Sequence, residues 1–272
     1  MTYFAVSNIR GYYAPFIQVL DEAGYDKNNP DHTLIVLGGL VGGGEQPKEV
    51  LSYLESLDPN RLILVGGKPE DLFRNLLKKD YPDRHYFFFS GMVKTLFLLA
   101  DMKEEYRKIP RPNLHVHKTE ESKRLFDLAV RRVLTSGIAN LILTESRWHD
   151  YCEIGNRILI HGFYPLGIAK PRFEGEEPLP CYDPAWRNAD RTAWEEARST
   201  WGYEAIRAGL FEPEREKGKT IVMGRFPFKV YHEALDLTHL DDVPIYHHEG
   251  MVAIELATIF TKRVNVYKFK EE

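Results

Sequence analysis

The feature that most constrains the fold of this chain is a series of short apolar runs, each of which ends at or next to a glycine. The first three are Phe4–Ser7, Leu34–Leu37 and Leu62–Val65, and amphipathic segments separate them. Apolar runs without polar alternation are typical of strands that are covered on both faces. Right-handed crossovers between such strands make a sheet parallel, so the sequence predicts an α/β fold.

The periodicity of the other segments predicts the remaining elements. Helices are expected at Tyr13–Ala23, Lys48–Leu57, Leu72–Lys79, Lys123–Leu134 and Thr192–Ala208. Further strands are expected at Leu141–Thr144, Arg157–His161, Thr220–Met223, Val252–Leu256 and Val264–Phe269. The last three strands suit a second sheet that packs against the first.

The length of the chain, 272 residues with 43% hydrophobic, is enough for one large α/β domain. We expect a single domain over residues 1–272 with a helical insertion at about 91–137. A polar, proline-rich stretch at about 170–190 predicts a long surface loop that could cover a cleft.

Charge and cysteine content limit the partners and the compartment. Thirty-six basic and forty acidic residues give a net charge of -4, which argues against a nucleic-acid partner. Cys152 and Cys181 are the only cysteines, too few for a disulfide framework, which favours a reducing compartment. No signal segment and no run of about 18 apolar residues is present, so we expect a cytoplasmic protein without a membrane partner.

Functional residues of an open α/β sheet lie beyond the carboxyl ends of its strands. We call the glycine-flanked loops at these ends the strand-end site; they are Asn8–Gly11, Gly38–Gly44, Gly66–Glu70, His161–Gly162 and Gly224–Pro227. The glycines of the second loop do not form a nucleotide-phosphate loop, because no Lys followed by Ser or Thr stands at the required position.

The order and spacing of these loops resemble the calcineurin-like metallophosphoesterases, in particular the bacterial and phage branch related to serine/threonine protein phosphatases. That family carries D-x-H-G, G-D-x-x-D-R-G, G-N-H-E, H-G and G-H-x-H in its five loops. The residues that match its framework are Ser7, Gly11, Gly38, Leu40, Val41, Gly44, Gly67, Glu70, Asp71 and Gly224, with Tyr182–Pro184, Trp186, Arg187 and Trp194. The resemblance implies a four-layer α/β/β/α sandwich of two mixed sheets.

The reactive positions of that family are substituted here. Its ligand and catalytic positions are occupied by Asn8, Arg10, Gly39, Gly43, Lys68, Pro69, Arg225 and Pro227, and Gly42 replaces a further aspartate. His161 is the one ligand-type residue that is kept. The family uses two divalent metals such as Mn, Fe or Zn, and the resemblance with these changes implies a catalytically inactive relative without a cofactor.

The chemistry of the substituted residues supports that expectation. Gly39 removes the carboxylate that would be shared by two metal ions, and cationic side chains repel metal ions. Pro69 can neither donate nor accept a proton, so general acid catalysis is lost at that position. A phosphatase site is therefore not expected to operate.

Three cations of the strand-end site suggest an alternative role. Arg10, Lys68 and Arg225, within a glycine-rich rim, predict binding of a phosphate or carboxylate group without hydrolysis. The alternatives are side chains that point to solvent, a residual phosphoesterase using His161 with His232, and an interaction protein that uses the insertion. The pairs His115 with His117 and His247 with His248 are interpreted as surface histidines because no acidic or cysteine ligand lies at metal spacing.

Overall fold

The structure, a computed structural model, describes residues 1–78, 90–109, 119–168, 179–199, 210, 213–225, 245–254 and 258–271. Its strands are β1 (Thr2–Val6), β2 (His32–Leu37), β3 (Leu62–Val65), β4 (Trp148–His149), β5 (Tyr151–Ile154), β6 (Arg157–Ile160), β7 (Gly167–Ile168), β8 (Pro180–Cys181), β9 (Thr220–Met223), β10 (Tyr246–His248), β11 (Met251–Ala253) and β12 (Val266–Lys270). Its α-helices are α1 (Tyr13–Glu22), α2 (Pro47–Glu55), α3 (Lys68–Lys78), α4 (Met92–Leu99), α5 (Lys103–Lys108), α6 (Glu120–Ser136), α7 (Asn140–Leu143), α8 (Arg191–Ala197) and α9 (Thr258–Thr261).

Two five-stranded mixed sheets form the centre of the fold. The first has the order β12-β1-β2-β3-β4, in which only the β12 pairing with β1 is antiparallel. The second has the order β10-β11-β9-β6-β5, with parallel pairs β11–β9 and β9–β6 at its centre. The parallel order of the first strands and the presence of a second sheet are as predicted. Of the three C-terminal strands expected in the second sheet, β9 and β11 lie there, but β12 is in the first sheet, where it pairs with β1.

Alternate residues of the central strands face different layers. In β2, Leu34 and Val36 pack under the helices, whereas Ile35 and Leu37 join the cluster between the sheets. In β9, Val222 faces the first sheet, whereas Ile221 and Met223 contact the opposite layer. Because side chains of a strand alternate between its faces, both faces of each sheet are buried and four layers result.

The outer layer against the second sheet is aromatic. Trp186 and Trp194 are almost fully buried, and Trp186 lies in a one-turn 3-10 helix within the stretch predicted as a surface loop. Tyr151 stacks on Trp194 with ring centroids 5.5 Å apart. These rings form the core between the second sheet and the fourth, outer layer.

One predicted strand is wrong. Leu141–Thr144 was expected to be extended, but Asn140–Leu143 is the short helix α7, and β4 follows it at Trp148–His149. Leu141 and Ile142 are fully buried in the helical layer over the first sheet. A four-residue apolar run is equally compatible with a buried helical turn, and here the packing decides.

The helices expected between residues 91 and 137 are present as α4, α5 and α6. The predicted helix Thr192–Ala208 is described as far as Ala197, and residues 200–209 lie outside the described residues. Among the described residues, no helix combines the length and the apolar character needed to cross a bilayer.

Candidate functional site

The first two loops of the strand-end site are joined by backbone hydrogen bonds. Asn8 N donates to Gly38 O at 3.0 Å, Arg10 N to Gly39 O at 2.7 Å, and Gly44 N to Arg10 O at 2.7 Å. These bonds continue the pairing of β1 and β2 beyond the strands. Asn8 and Arg10 have positive φ angles of 48° and 56°, so the first loop turns sharply.

The Asn8 side chain connects the two sheets. It is fully buried, and its Nδ2 donates to Gly224 O at 2.8 Å and to Ser7 Oγ at 3.2 Å. Its Oδ1 accepts from Arg10 Nε at 3.0 Å. Both ends of the amide are therefore engaged within the protein.

Gly39 has no space for a side chain. Its φ is 77°, and a Cβ there would lie 2.5 Å from Asn8 Oδ1 and 2.6 Å from Asn8 Cα. Side chains rarely adopt this backbone conformation, and contacts below 3 Å require atoms to move. The backbone therefore leaves no room for the carboxylate that the family resemblance implies at this position.

The side chain of Glu70 accepts hydrogen bonds from two backbone N–H groups of the second loop. Its side chain is fully buried and accepts from Gly39 N at 3.0 Å and from Leu40 N at 2.7 Å. Burial raises the pKa of Glu70, and the two backbone bonds and the charge of Arg74 offset part of that rise. The carboxylate therefore holds the second loop in place, and both of its oxygens are engaged by backbone N–H groups.

His161 lies at the centre of the strand-end site and is 1% exposed. Its Nδ1 is 2.7 Å from Leu37 O. A carbonyl oxygen only accepts, so the neutral ring carries its hydrogen on Nδ1 and its lone pair on Nε2. Burial, together with the charges of Arg225, Arg10 and Arg198, lowers the pKa of His161 to about 3, although the hydrogen bond to Leu37 O acts to raise it.

We expect this histidine to make the protein sensitive to acid. The unfolded ring has an ordinary pKa of about 6.5 and the folded ring one of about 3, so the unfolded state binds more protons between these values. Stability from this group is thus complete above about pH 6.5 and falls by up to about 1.4 kcal/mol per pH unit on acidification.

Urea unfolding at about pH 7.5 and 5 measures this effect in the unmodified protein and in His161→Asn. The histidine predicts a loss larger by about 2 kcal/mol in the unmodified protein. Glu70, whose pKa is raised, stabilises the folded protein on acidification. Because Glu70 is present in both proteins, its contribution is the same in each and does not affect the comparison. Equal losses would show that His161 is not held neutral.

Arg198 is a cation of the site that the motif comparison missed. It is 8% exposed, and its Nη1 donates to both carboxylate oxygens of Asp71 at 3.0 Å. Its Nη2 donates to Asp150 at 2.5 Å, and its carbonyl accepts from Arg225 Nη1 at 3.2 Å. No loop motif contains Arg198, because it follows α8 far along the chain.

Two of the predicted cations, Arg10 and Arg225, lower the pKa of His161 together with Arg198. Lys68 is half-buried at the first position of α3. Lys68 therefore stays a predicted cation of the site, and Arg198 is a further cation that the structure adds.

Of the other candidate residues, the structure describes Pro69 and Gly43. Pro69 is buried in the first turn of α3, and Gly43 O accepts from Lys94 Nζ at 2.6 Å. Pro227, His232, His115 and His117 lie outside the described residues.

The residues present do not fit the two divalent ions that the family resemblance implies. Within the described part of the chain, no three His, Cys, Asp or Glu side chains are grouped to hold a metal ion. The Asn8 amide is engaged within the protein, and Glu70 is committed to backbone N–H groups. Among these described residues, His161 Nε2 lacks a hydrogen-bond partner, so its lone pair is not engaged within the protein.

No family model and no curated protein matches this chain. Solved structures with a partly similar fold include a metallophosphoesterase from Sphaerobacter thermophilus, 13% identical, covering 100% of this chain and 89% of its own, with a TM-score of 0.41. A protein serine/threonine phosphatase from Saccharomyces cerevisiae is 14% identical over 84% of this chain and 62% of its own, with a TM-score of 0.42. A cold-active protein-tyrosine phosphatase of a psychrophile, Shewanella sp., is 13% identical over 97% and 74%, with a TM-score of 0.44. Sequence identities and TM-scores this low assign neither an activity nor a ligand to this chain.

Proposed function

We propose that this protein binds an oxyanion, such as the phosphate of a phosphorylated ligand, at the strand-end site and does not hydrolyse it. The observation that carries the proposal is the position of three arginines at the strand ends. Arg10 Nε donates to Asn8 Oδ1, Arg225 Nη1 donates to Arg198 O, and the charges of Arg10, Arg198 and Arg225 all lower the pKa of His161. Guanidinium groups are the side chains best suited to phosphate recognition, because they present several N–H donors in a planar fork.

The charge balance of the site supports an anionic ligand. Four guanidinium groups, those of Arg10, Arg74, Arg198 and Arg225, are opposed by the carboxylates of Asp71, Asp150 and Glu70. Among these described residues, the four guanidinium groups outnumber the three carboxylates. A buried or half-buried excess of positive charge attracts anions more strongly than an exposed one does.

The absence of hydrolysis follows from the proton chemistry of the same residues. His161, with a pKa of about 3, carries no proton that it can give to a leaving group near neutral pH. Pro69 has no titratable group. We accordingly propose that the protein works without a bound metal, as a binding or regulatory protein of the cytoplasm; Cys152 and Cys181 are free thiols, in keeping with a reducing compartment.

Calorimetry with inorganic phosphate on chelator-treated protein tests the proposal. We expect measurable heat at low salt, and about tenfold weaker binding in Arg10→Ala, because a hydrogen bond to a charged group contributes about 1.5–3 kcal/mol. Arg124→Ala is the matched control, since Arg124 lies exposed on α6 and pairs with Glu121. No heat with phosphate or with phosphopeptides would overturn the proposal.

A residual metal-dependent phosphoesterase is the second candidate, and the unpartnered Nε2 of His161 favours it. Imidazole nitrogen is a common metal ligand, although this site would need further ligands from outside the described residues. Metal analysis of the purified protein and a phosphate-ester assay with Mn distinguish the candidates. Stoichiometric metal with activity that chelators abolish would replace oxyanion binding by catalysis.

A further inference from the structure

Two buried polar atoms of the strand-end site lack a hydrogen-bond partner. They are His161 Nε2 and Arg198 Nε, and within the described part of the chain Thr95 Oγ1 is the other such side-chain atom. The side chains that carry them lie against consecutive glycines. A Cβ at Gly66 would lie 3.2 Å from Arg198 Nε, and a Cβ at Gly67 would lie 3.0 Å from His161 Cε1.

The two atoms have opposite hydrogen-bonding roles. Arg198 Nε always carries a hydrogen and only donates. His161 Nε2 only accepts, because its ring hydrogen is committed to Leu37 O through Nδ1. A buried polar atom without a partner costs about 1–3 kcal/mol, so a ligand that satisfies both recovers part of that energy.

We propose that the strand-end site selects an oxyanion that carries a hydrogen atom, with Arg198 Nε donating to one oxygen and His161 Nε2 accepting from the ligand hydroxyl. This inference rests on the proposed oxyanion binding and adds the class of ligand. Both atoms are shielded from solvent, so the side chains that cover them must shift when the ligand enters.

The same geometry rejects an oxyanion that has no hydrogen. Such a ligand would place an oxygen lone pair against the lone pair of His161 Nε2, where no hydrogen stands between them. Sites that offer a buried polar group discriminate strongly against ligands that leave that group unpaired. Hydrogen phosphate and sulfate are a matched pair for this test, since they share shape and double charge and differ by one hydrogen.

Calorimetry at about pH 8 with inorganic phosphate and with sulfate, on the unmodified chelator-treated protein, decides the question. We expect phosphate to bind at least about tenfold more tightly, the equivalent of one hydrogen bond to a charged group. Equal affinities would overturn the selectivity and leave oxyanion binding in place. Binding of neither anion would overturn both proposals.

His161→Asn identifies the residue responsible. The Asn amide nitrogen replaces Nδ1 as donor to Leu37 O, and the Nε2 acceptor is removed. We expect phosphate affinity to fall to the level of sulfate while sulfate affinity is unchanged. A merely structural role of His161 would lower both affinities together and contradict the assignment, and if the variant does not fold, the comparison in the unmodified protein is decisive.

Discussion

Gly39→Ala is expected to destabilise this protein far more than Gly218→Ala, although the two glycines have nearly the same backbone conformation. Their φ angles are 77° and 75°, so both variants carry the cost of a side chain in the left-handed region, about 1 kcal/mol. A Cβ at Gly218 meets nothing within 4 Å, whereas one at Gly39 meets Asn8 Oδ1 and Cα at 2.5 and 2.6 Å. Overpacking adds about 1–3 kcal/mol, which gives about 2–4 kcal/mol in total for Gly39→Ala.

Relaxation around Gly39 is limited because Asn8 is held from several directions. Its backbone N–H bonds to Gly38 O, and its amide bonds to Gly224 O and to Arg10 Nε. Urea unfolding of both variants measures the difference in free energy of unfolding. Similar values for the two would mean that Asn8 moves aside readily and that Gly39 is required only for its φ angle.

The same contacts predict that a carboxylate introduced at position 39 does not create a metal site. Gly39→Asp places a longer side chain where Cβ already collides with Asn8, so we expect loss of stability at least equal to that of Gly39→Ala. Metal analysis of the purified variant should show no stoichiometric ion. The coupling of positions 8 and 39 means that both would have to change together.

Much of the fold could be predicted because its signals are local. Leu62–Val65 and Thr220–Met223 are strands with the predicted bounds, since apolar runs covered on both faces need no information from distant residues. Ser7 and Gly224 were matched to the family framework, and the structure shows Ser7 Oγ 2.6 Å from Gly224 O across the two sheets. A contact between residues 217 positions apart could be anticipated only from the family resemblance, because no local sequence signal indicates it.

The site was predicted less completely because its chemistry depends on residues far apart in sequence. Arg198 approaches Asp71 across 127 positions, and no spacing rule reports such a contact. The Nδ1 contact of His161 with Leu37 O spans 124 positions. The sequence therefore identified His161 as a kept residue, and only the structure determined that its free nitrogen is an acceptor.

Asp71→Asn is expected to have the largest effect of any single change in the charged part of the site. Asp71 and Arg74 are each about 6% exposed, and the Asp71 carboxylate accepts from Arg74 Nη1 at 2.8 Å and from Arg198 Nη1 at 3.0 Å. The amide is isosteric, but it removes the charge shared by two buried guanidinium groups. Loss of one partner from a buried charged pair costs about 3–5 kcal/mol, because an uncompensated charge is left behind.

Glu121→Gln is the matched control for that experiment, because Glu121 and Arg124 are also three residues apart on a helix and are 61% and 66% exposed. Water and salt screen an exposed pair, so we expect little change in that variant and little dependence on ionic strength. Denaturant unfolding of both variants at low and high salt compares them directly. An equally small loss for Asp71→Asn would mean that water reaches Arg74 and Arg198. Arg198 would then not be held in a fixed position near His161, and the proposed selection of oxyanions requires that fixed position.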